Sequence, residues 1–272
     1  MLGTQRVKFF VFAIVICCYE AHSQGQIPDV DFFPGKKIFP PFVADGLEHQ
    51  FSLSNVTDNR DWIGAVGGSV PVIQLAVRQT EMQVSVAATV FSRLIKSPGH
   101  LIVHTVDYRV DFPIDVRFSA LVLRVALGHV SGHFADDGIE RLGEKSIQYV
   151  RDYVSLAVVH DIPLMGGHVY ASTGYNYNSA PVQRKQWLVQ FGTEFGNFLL
   201  TDYAQLYGAL DIKIKEEVSW GSIQSYQIGV KLFERNNHGL RVAYTFRRGF
   251  EERGQFFDRR ETVNLISVFV DL

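Results

Sequence analysis

Residues 239–248 read GLRVAYTFRR, and apolar and polar side chains alternate along them. The even positions are Leu240, Val242, Tyr244 and Phe246, and the odd positions are Arg241, Ala243, Thr245 and Arg247. Successive side chains of a β-strand point to opposite faces, so this period of two predicts a strand with one apolar face and one polar face. Residues 262–272 alternate in the same way, so we expect the chain to end on a strand.

The same period recurs from about residue 47 to the end of the chain. Counting back from the C-terminus, it predicts strands near 47–56, 62–78, 82–95, 101–112, 114–130, 147–160, 167–177, 187–198, 204–215, 224–234, 239–248 and 262–272. These segments exceed the roughly 5 to 6 residues of an ordinary strand and reach the roughly 9 to 11 that cross a membrane. Short turns, such as the predicted corner at 111–113, alternate with long polar connections, as in bacterial outer-membrane barrels.

We therefore predict an all-β fold, a transmembrane antiparallel up-and-down barrel of about 12 strands in the bacterial outer membrane. Charges such as Asp107, Arg109 and Asp115 fall on the polar faces of neighbouring predicted strands, which indicates a polar, filled lumen and not an open pore. A secreted soluble β-sandwich or a lipocalin-like binding protein is the alternative fold, because such folds show the same alternation.

The composition along the chain predicts three segments. Residues 1–23 combine two basic residues with an apolar run too short to span a membrane, which predicts a signal peptide cleaved after Ser23. Residues 24–46 hold four prolines and are predicted to form an extended periplasmic lead-in, and 47–272 the barrel. Cys17 and Cys18 both lie in the signal, so the mature chain has neither a disulfide nor a thiol catalyst. A formal charge of −2 gives no reason to expect a nucleic-acid partner.

One polar cluster suggests chemistry. His129, Ser131 and His133 alternate at the end of the predicted strand 114–130, on the face expected to point into the lumen at the outer rim, and Asp136 and Asp137 follow. A serine beside a histidine can act as nucleophile and base in an acyl hydrolase. The two aspartates offer hard oxygen ligands, so a divalent cation is a possible cofactor of this cluster. The alternative is that all five are structural polar residues of the lumen and loop.

A second cluster is basic. Five arginines fall on or beside the last predicted outer loop: Arg247, Arg248, Arg253, Arg259 and Arg260. Arginine is well suited to phosphate, so the cluster could bind the phosphates of lipopolysaccharide. Acidic residues are interleaved in nearly equal number, so a salt-bridged loop is the alternative.

Four segments carry a resemblance to a known family. They are IFPPFVADGLEHQFS (38–52), HVSGHFADD (129–137), SIQYVRDYVSLAVVHD (146–161) and YTFRRGFEERGQFF (244–257). Together they resemble a bacterial family known as domain-of-unknown-function family 1207. The resemblance implies an exported outer-membrane protein and no established activity. The chain is also similar in size and strand number to outer-membrane lipid A deacylases, without a motif that maps onto theirs.

These observations leave three functional hypotheses. The first is an outer-membrane barrel with a structural or ligand- and lipid-binding role. The second is an outer-leaflet lipid acyl hydrolase of the lipid A type, and the third is the soluble binding protein. Expected partners are outer-membrane lipids, lipopolysaccharide and, during biogenesis, the barrel assembly machinery.

Overall fold

Thirteen antiparallel strands form a single sheet in the computed structural model, which describes residues 29–59, 61–78, 80–235 and 238–271. The strands are β1 (Asp29–Phe32), β2 (Phe51–Val56), β3 (Trp62–Val77), β4 (Thr80–Ser97), β5 (His100–Phe118), β6 (Leu121–Phe134), β7 (Tyr149–Ile162), β8 (Gly167–Ala180), β9 (Trp187–Thr201), β10 (Ala204–Lys215), β11 (Gly221–Arg235), β12 (His238–Phe250) and β13 (Arg260–Asp271). The predicted signal peptide, 1–23, lies outside the described residues.

The sheet closes on itself. Strands β2 to β13 each pair with both neighbours, and the circle is completed where β13 pairs with β2 and β2 with β3. Ser54 and Ser267 lie opposite each other at this seam, and their hydroxyl oxygens are 2.7 Å apart. The described chain is thus a closed twelve-stranded barrel with β1 as an additional strand. The predicted antiparallel barrel of about 12 strands is confirmed, and the β-sandwich alternative is wrong.

The two ends of the barrel differ. At one, the turn end, the strands are joined by short connections such as 119–120 and 202–203, and β13 also ends there. At the other, the loop end, lie the 135–148 connection with helix α1 (Asp136–Leu142) and the 251–259 connection with a short 3-10 helix (Gly254–Phe256). No helix in the described part of the chain is long and apolar enough to cross a membrane.

The predicted corner at 111–113 is wrong, because Pro113 lies inside β5. The paired residues of β4 and β5 skip from Val84–Ile114 to Ala87–Asp111, so the proline, which has no N–H, sits where the ladder is interrupted. The turn follows at Ser119, whose φ of 57° is the left-handed conformation of a tight turn. Strand β6 therefore starts at Leu121, several residues later than predicted.

Polar side chains face into the barrel and apolar ones face out. On β12, Arg241 is 3% exposed while its neighbour Val242 is 42% exposed, and on β13 the pair Ser267 and Val268 is 1% and 47% exposed. Many inward residues are polar and hydrogen-bonded, with ion pairs such as Arg124–Asp115, in which two guanidinium nitrogens reach the carboxylate at 2.6 and 2.8 Å. Apolar residues such as Val122 lie among them. The predicted polar lumen is confirmed.

The segment between β1 and β2 fills this lumen. Phe42 stacks on Tyr170 of β8 with ring centroids 3.8 Å apart, and the Arg124 guanidinium lies 3.8 Å from the centre of the Phe39 ring. Farther along, Arg109 donates to the Leu47 carbonyl at 2.6 Å. The sequence placed residues 24–46 outside the barrel as an extended lead-in, and for the described residues from 34 onward this is wrong. We call residues 34–50 the plug.

Strands β1 and β2 lie against the same edge of β3. Phe32 is opposite Ile73 and Ser52 is opposite Ala65, so an unbroken strand would need far fewer residues than the chain supplies between Phe32 and Ser52. The surplus length forms the plug. A barrel of about 8 strands is filled by its own side chains and one of about 16 encloses a channel, so a twelve-stranded barrel has room for such a segment.

The seam between β2 and β13 can be tested by cross-linking. Ser54→Cys with Ser267→Cys is expected to form a disulfide within the chain. Directly opposed residues on adjacent antiparallel strands have Cβ atoms close enough for a disulfide bond. The check is electrophoretic mobility of the denatured protein with and without reductant. Ser54→Cys with Ser225→Cys, a buried serine on the non-adjacent β11, is the control, and an equal shift in both variants would contradict the register.

Candidate functional site

A chain of buried ions connects the plug to the loop end. The ammonium of Lys213 on β10 donates to Asp45 of the plug and, at 2.6 Å, to Glu252 of the 251–259 loop. Arg247 on β12 donates to the second oxygen of Glu252 at 2.9 Å. All four side chains are at most 7% exposed. Breaking a buried pair leaves an uncompensated charge, so these contacts fix the plug and the loop relative to the wall.

The Asp45 carboxylate is held in its charged form. Burial raises the pKa of Asp45, but the Lys213 ammonium and the Arg109 guanidinium outweigh it, so the pKa lies below its usual value. Gln190 also donates to this carboxylate at 3.0 Å. Since the folded-state pKa is lowered, the stabilisation is present above the pKa of the unfolded chain and is lost as the pH falls through the folded value.

The 251–259 loop turns inward over the mouth of the barrel. Gly254 donates its N–H to Asp107 of β5 at 3.1 Å, and Gln255 donates to the Gly132 carbonyl of β6 at 2.6 Å. A side chain at Gly132 would collide with Asp107 and with the backbone of Gly254, so the glycine provides room for this loop. This loop therefore occupies the lumen at the loop end, in addition to the plug.

Between the plug and this loop lies a chamber of about 170 Å³. Its charged groups are paired across it: His49 with Asp111 at 2.8 Å, and Arg151 with Glu217. Tyr153 also donates to Asp111. Burial raises the pKa of Glu217, but Lys215 and Arg151 outweigh it and lower the pKa overall. The charges that line the chamber compensate one another, so it presents no excess of one charge to a ligand.

The five predicted ligand-binding arginines separate into two groups. Arg247 and Arg253 are buried, and Arg253 pairs with Glu251 and, at 3.5 Å, with Glu261. Arg248, Arg259 and Arg260 are exposed. The first two cannot reach a ligand outside the barrel without breaking their ion pairs, which agrees with a salt-bridged loop. Phosphate binding by the exposed three stays a prediction.

The predicted catalytic residues point outward and not into the lumen. On β6 the even positions, such as Gly128 and Gly132, are buried inside, whereas His129 and His133 are exposed on the outer wall and Ser131 shares their face. The expected lumenal position is therefore wrong, because the turn at 119–120 shifts the alternation by one residue. His133 packs at its ring edge against Tyr108, with centroids 6.0 Å apart.

The outer wall also supplies hydrogen-bond partners that the sequence did not reveal. Asp152 on β7 lies opposite His129, and its carboxylate is 2.6 Å from Nδ1 of the imidazole. Asn178 on β8 lies opposite Asp152 and donates to its other oxygen at 2.6 Å. Ser131 lies two positions along β6 from His129. A serine, a histidine and an aspartate thus share one patch, which we call the outer-wall cluster (His129, Ser131, Asp152 and Asn178).

Asp136 and Asp137 begin helix α1, beside the mouth of the barrel. In the described part of the chain no group of three or more His, Cys, Asp and Glu side chains is arranged to hold a metal ion. The divalent-cation site stays a prediction from the sequence.

Residues 16–270 match the model of a family described as a protein of unknown function, DUF1207. The chain belongs to the DUF1207 family. The resemblance expected from the sequence is therefore confirmed over nearly the whole chain. No curated protein matches this DUF1207 member.

The ion chain of this DUF1207 protein gives a stability prediction. Lys213→Met leaves Asp45 and Glu252 buried without their shared cation, and we expect the free energy of unfolding to fall by about 3–5 kcal/mol. Guanidinium unfolding followed by tryptophan fluorescence measures it. Lys96→Met, at an exposed position, should change stability by less than about 0.5 kcal/mol.

A repaired variant separates charge from packing. Lys213→Met combined with Asp45→Asn and Glu252→Gln removes all three charges, and it should recover part of the loss. If Lys213→Met alone were as stable as Lys96→Met, the buried ion chain would not hold the plug.

Proposed function

We propose that this DUF1207 protein is an integral outer-membrane barrel whose lumen is closed by its own plug, with a structural or lipid-binding role and no role as an open pore. The main support is the polarity of the wall, which is the reverse of that in a soluble barrel with an apolar interior. Inward positions hold most of the buried ions and amides together with some apolar side chains, and outward positions on the same strands hold Val, Leu, Ile, Phe and Tyr at roughly half exposure. Transmembrane barrels have this alternation, since their outer wall contacts hydrocarbon.

The lipocalin-like alternative fits less well. A soluble barrel that binds an apolar ligand places its apolar side chains inside and its polar ones in water. Here Ile228 and Val242 face outward while Gln227 and Arg241 face inward. In water this wall would expose an apolar surface far larger than soluble monomers tolerate.

The difference between the two ends supports an orientation. Bacterial barrels have short turns in the periplasm and longer loops outside the cell, and their termini are periplasmic. The turn end would then face the periplasm and the loop end the outside. Exposed aromatic side chains at the turn end, including Phe198, Tyr203 and Phe233, suit an interfacial belt. Export through a signal peptide at 1–23 and insertion by the barrel assembly machinery belong to the same proposal.

Lipopolysaccharide is the partner that suits the outer surface. Arg259 is exposed at the end of the 251–259 loop and Arg260 at the start of β13, both at the proposed outer end. The guanidinium of Arg259 lies over the Phe256 ring and that of Arg260 over the Phe250 ring. Guanidinium groups bind phosphate with paired hydrogen bonds. This contact would be a surface interaction, separate from the closed lumen.

A charge on the outer wall tests membrane insertion. Ile228→Arg places a cation midway along β11, on the outward face. In a bilayer it should lower the free energy of unfolding by about 2–4 kcal/mol, whereas in water an exposed position tolerates arginine. Urea unfolding in phospholipid vesicles gives the value. Thr262→Arg, outward near the loop end of β13, is the matched control, expected to cost at most about 1 kcal/mol. Equal stability of both variants and a protein monodisperse without detergent would refute membrane insertion.

Removing the plug tests closure of the lumen. We expect the wild-type protein to form no stable channel in planar lipid bilayers, because plug and loop occupy the lumen. Replacing residues 34–49 by an equal length of Gly and Ser, which cannot make the Phe39, Phe42 and Asp45 contacts, should produce channels of steady conductance. The same replacement in the 136–147 connection is the control. Large channels from the wild type would contradict a closed lumen.

A further inference from the structure

We infer that the outer-wall cluster is the catalytic site of a serine hydrolase that cleaves ester-linked acyl chains of membrane lipids. Ser131 is the nucleophile, His129 the general base, and Asp152 the positioning residue that orients the imidazole. The inference rests on the proposed membrane insertion, because the cluster faces outward from the barrel.

The hydrogen bonds of the cluster favour one tautomer of His129. Asp152 Oδ1 is 2.6 Å from Nδ1, and a carboxylate there favours the tautomer with the proton on Nδ1. Nε2 is then the basic nitrogen, as a general base requires. Asn178 donates to the other carboxylate oxygen at 2.6 Å and so fixes Asp152 in turn. Asp152 thus orients His129, and Asn178 orients Asp152.

Ser131 lies two positions along β6 from this base, on the same outward face. Alternate residues of a strand lie on the same face, about 6.5–7 Å apart between Cα atoms, a separation that the imidazole and serine side chains can bridge together. Ser131 and His129 therefore lie next to each other on one face of β6, and side-chain rotation without a bend of the strand would bring Oγ to Nε2. His133 lies one step farther along and packs on Tyr108, so it has no place in the relay.

The position of the cluster indicates the substrate. Next to His129 and Asp152, one step towards the turn end, the outward residues are Leu127 and Val154, both substantially exposed. The cluster lies where the apolar band of the wall gives way to polar residues near the loop end. In a membrane that boundary is at the depth of the lipid ester groups, with acyl chains along the apolar band. A water-soluble ester without acyl chains would not contact the apolar band in this way.

The reaction balances with water as the second reactant. Ser131 Oγ attacks the ester carbonyl carbon while His129 takes the hydroxyl proton, and collapse of the tetrahedral intermediate expels the lipid alcohol, which receives that proton. Water then attacks the acyl-serine with His129 again as base. The serine regains its proton, and a free fatty acid leaves.

The test uses the full mature protein in detergent micelles with two lipid sources, lipopolysaccharide in one arm and phosphatidylethanolamine with phosphatidylglycerol in the other. Mass spectrometry measures the fatty acid released. We expect wild type to release it from at least one source, and Ser131→Ala and His129→Asn to reduce the rate by a factor on the order of 1000 or more. Ser222→Ala, an outward serine near the same end of β11, should retain the wild-type rate.

The role of Asp152 has its own readout. Asp152→Asn should slow covalent labelling of Ser131 by a long-chain fluorophosphonate, and Asp152→Glu should restore much of that rate, which a merely structural role would not predict. Peptide mass spectrometry of the labelled wild type identifies the serine without relying on any variant. Label on another serine, or no acid from either lipid, overturns the inference.

Failure of the hydrolase and failure of the membrane proposal are distinguishable. The same preparations are assayed for heat-modifiable migration and for the effect of Ile228→Arg. A stably inserted barrel that releases no acid overturns the catalytic inference alone. A protein insensitive to Ile228→Arg and monodisperse without detergent overturns the membrane proposal.

Discussion

The buried ammonium of Lys213 is the contact on which the interior of this protein depends. It stands on a wall strand and holds one carboxylate from the plug and one from the 251–259 loop. A closed sheet fixes only the wall, and a twelve-stranded wall encloses more space than its own side chains fill. Segments that fill the space bring backbone and charge into a confined lumen, where every polar group requires a partner. The ion chain supplies those partners, so plug, loop and wall depend on one another.

The sequence predicted the strands well because their signal is local. Strand 204–215 was predicted with the bounds that the structure shows, since alternation is continuous from Leu206 to Lys215. The error at 111–113 arose where two local signals conflicted. Pro113 indicated a turn, while the alternation on both sides of it continued, and the interrupted β4–β5 ladder lets the proline remain within the strand. Alternation was the stronger signal, because every strand of the wall has one face towards the lumen and one towards the outside.

The candidate site was less predictable, for two physical reasons. The face to which a strand residue points depends on whether it lies an even or an odd number of residues from the start of the strand. One misplaced turn therefore reversed the face assigned to His129, Ser131 and His133. Partners on other strands depend on register, and nothing near Asp152 or Asn178 in the sequence marks them as neighbours of His129. The plug escaped prediction for a related reason. Four prolines indicate an irregular segment, but contacts such as Phe42 on Tyr170 and Asp45 on Lys213 decide whether it lies inside or outside.

The inner and outer walls differ in what their polar groups accomplish. Inside, charges such as Asp45, Lys213 and Arg247 hold segments that would otherwise have no fixed position. Outside, the bonds from His129 to Asp152 and from Asp152 to Asn178 join strands that the backbone ladders already join, and they hold no segment in place. On a wall that contacts lipid, as we propose for this one, such a row of polar side chains adds a desolvation cost and holds no segment in place in return. The hydrogen-bonded row therefore has no structural task comparable to that of the buried ions, and this difference is the reason that we propose a chemical role for it beside Ser131.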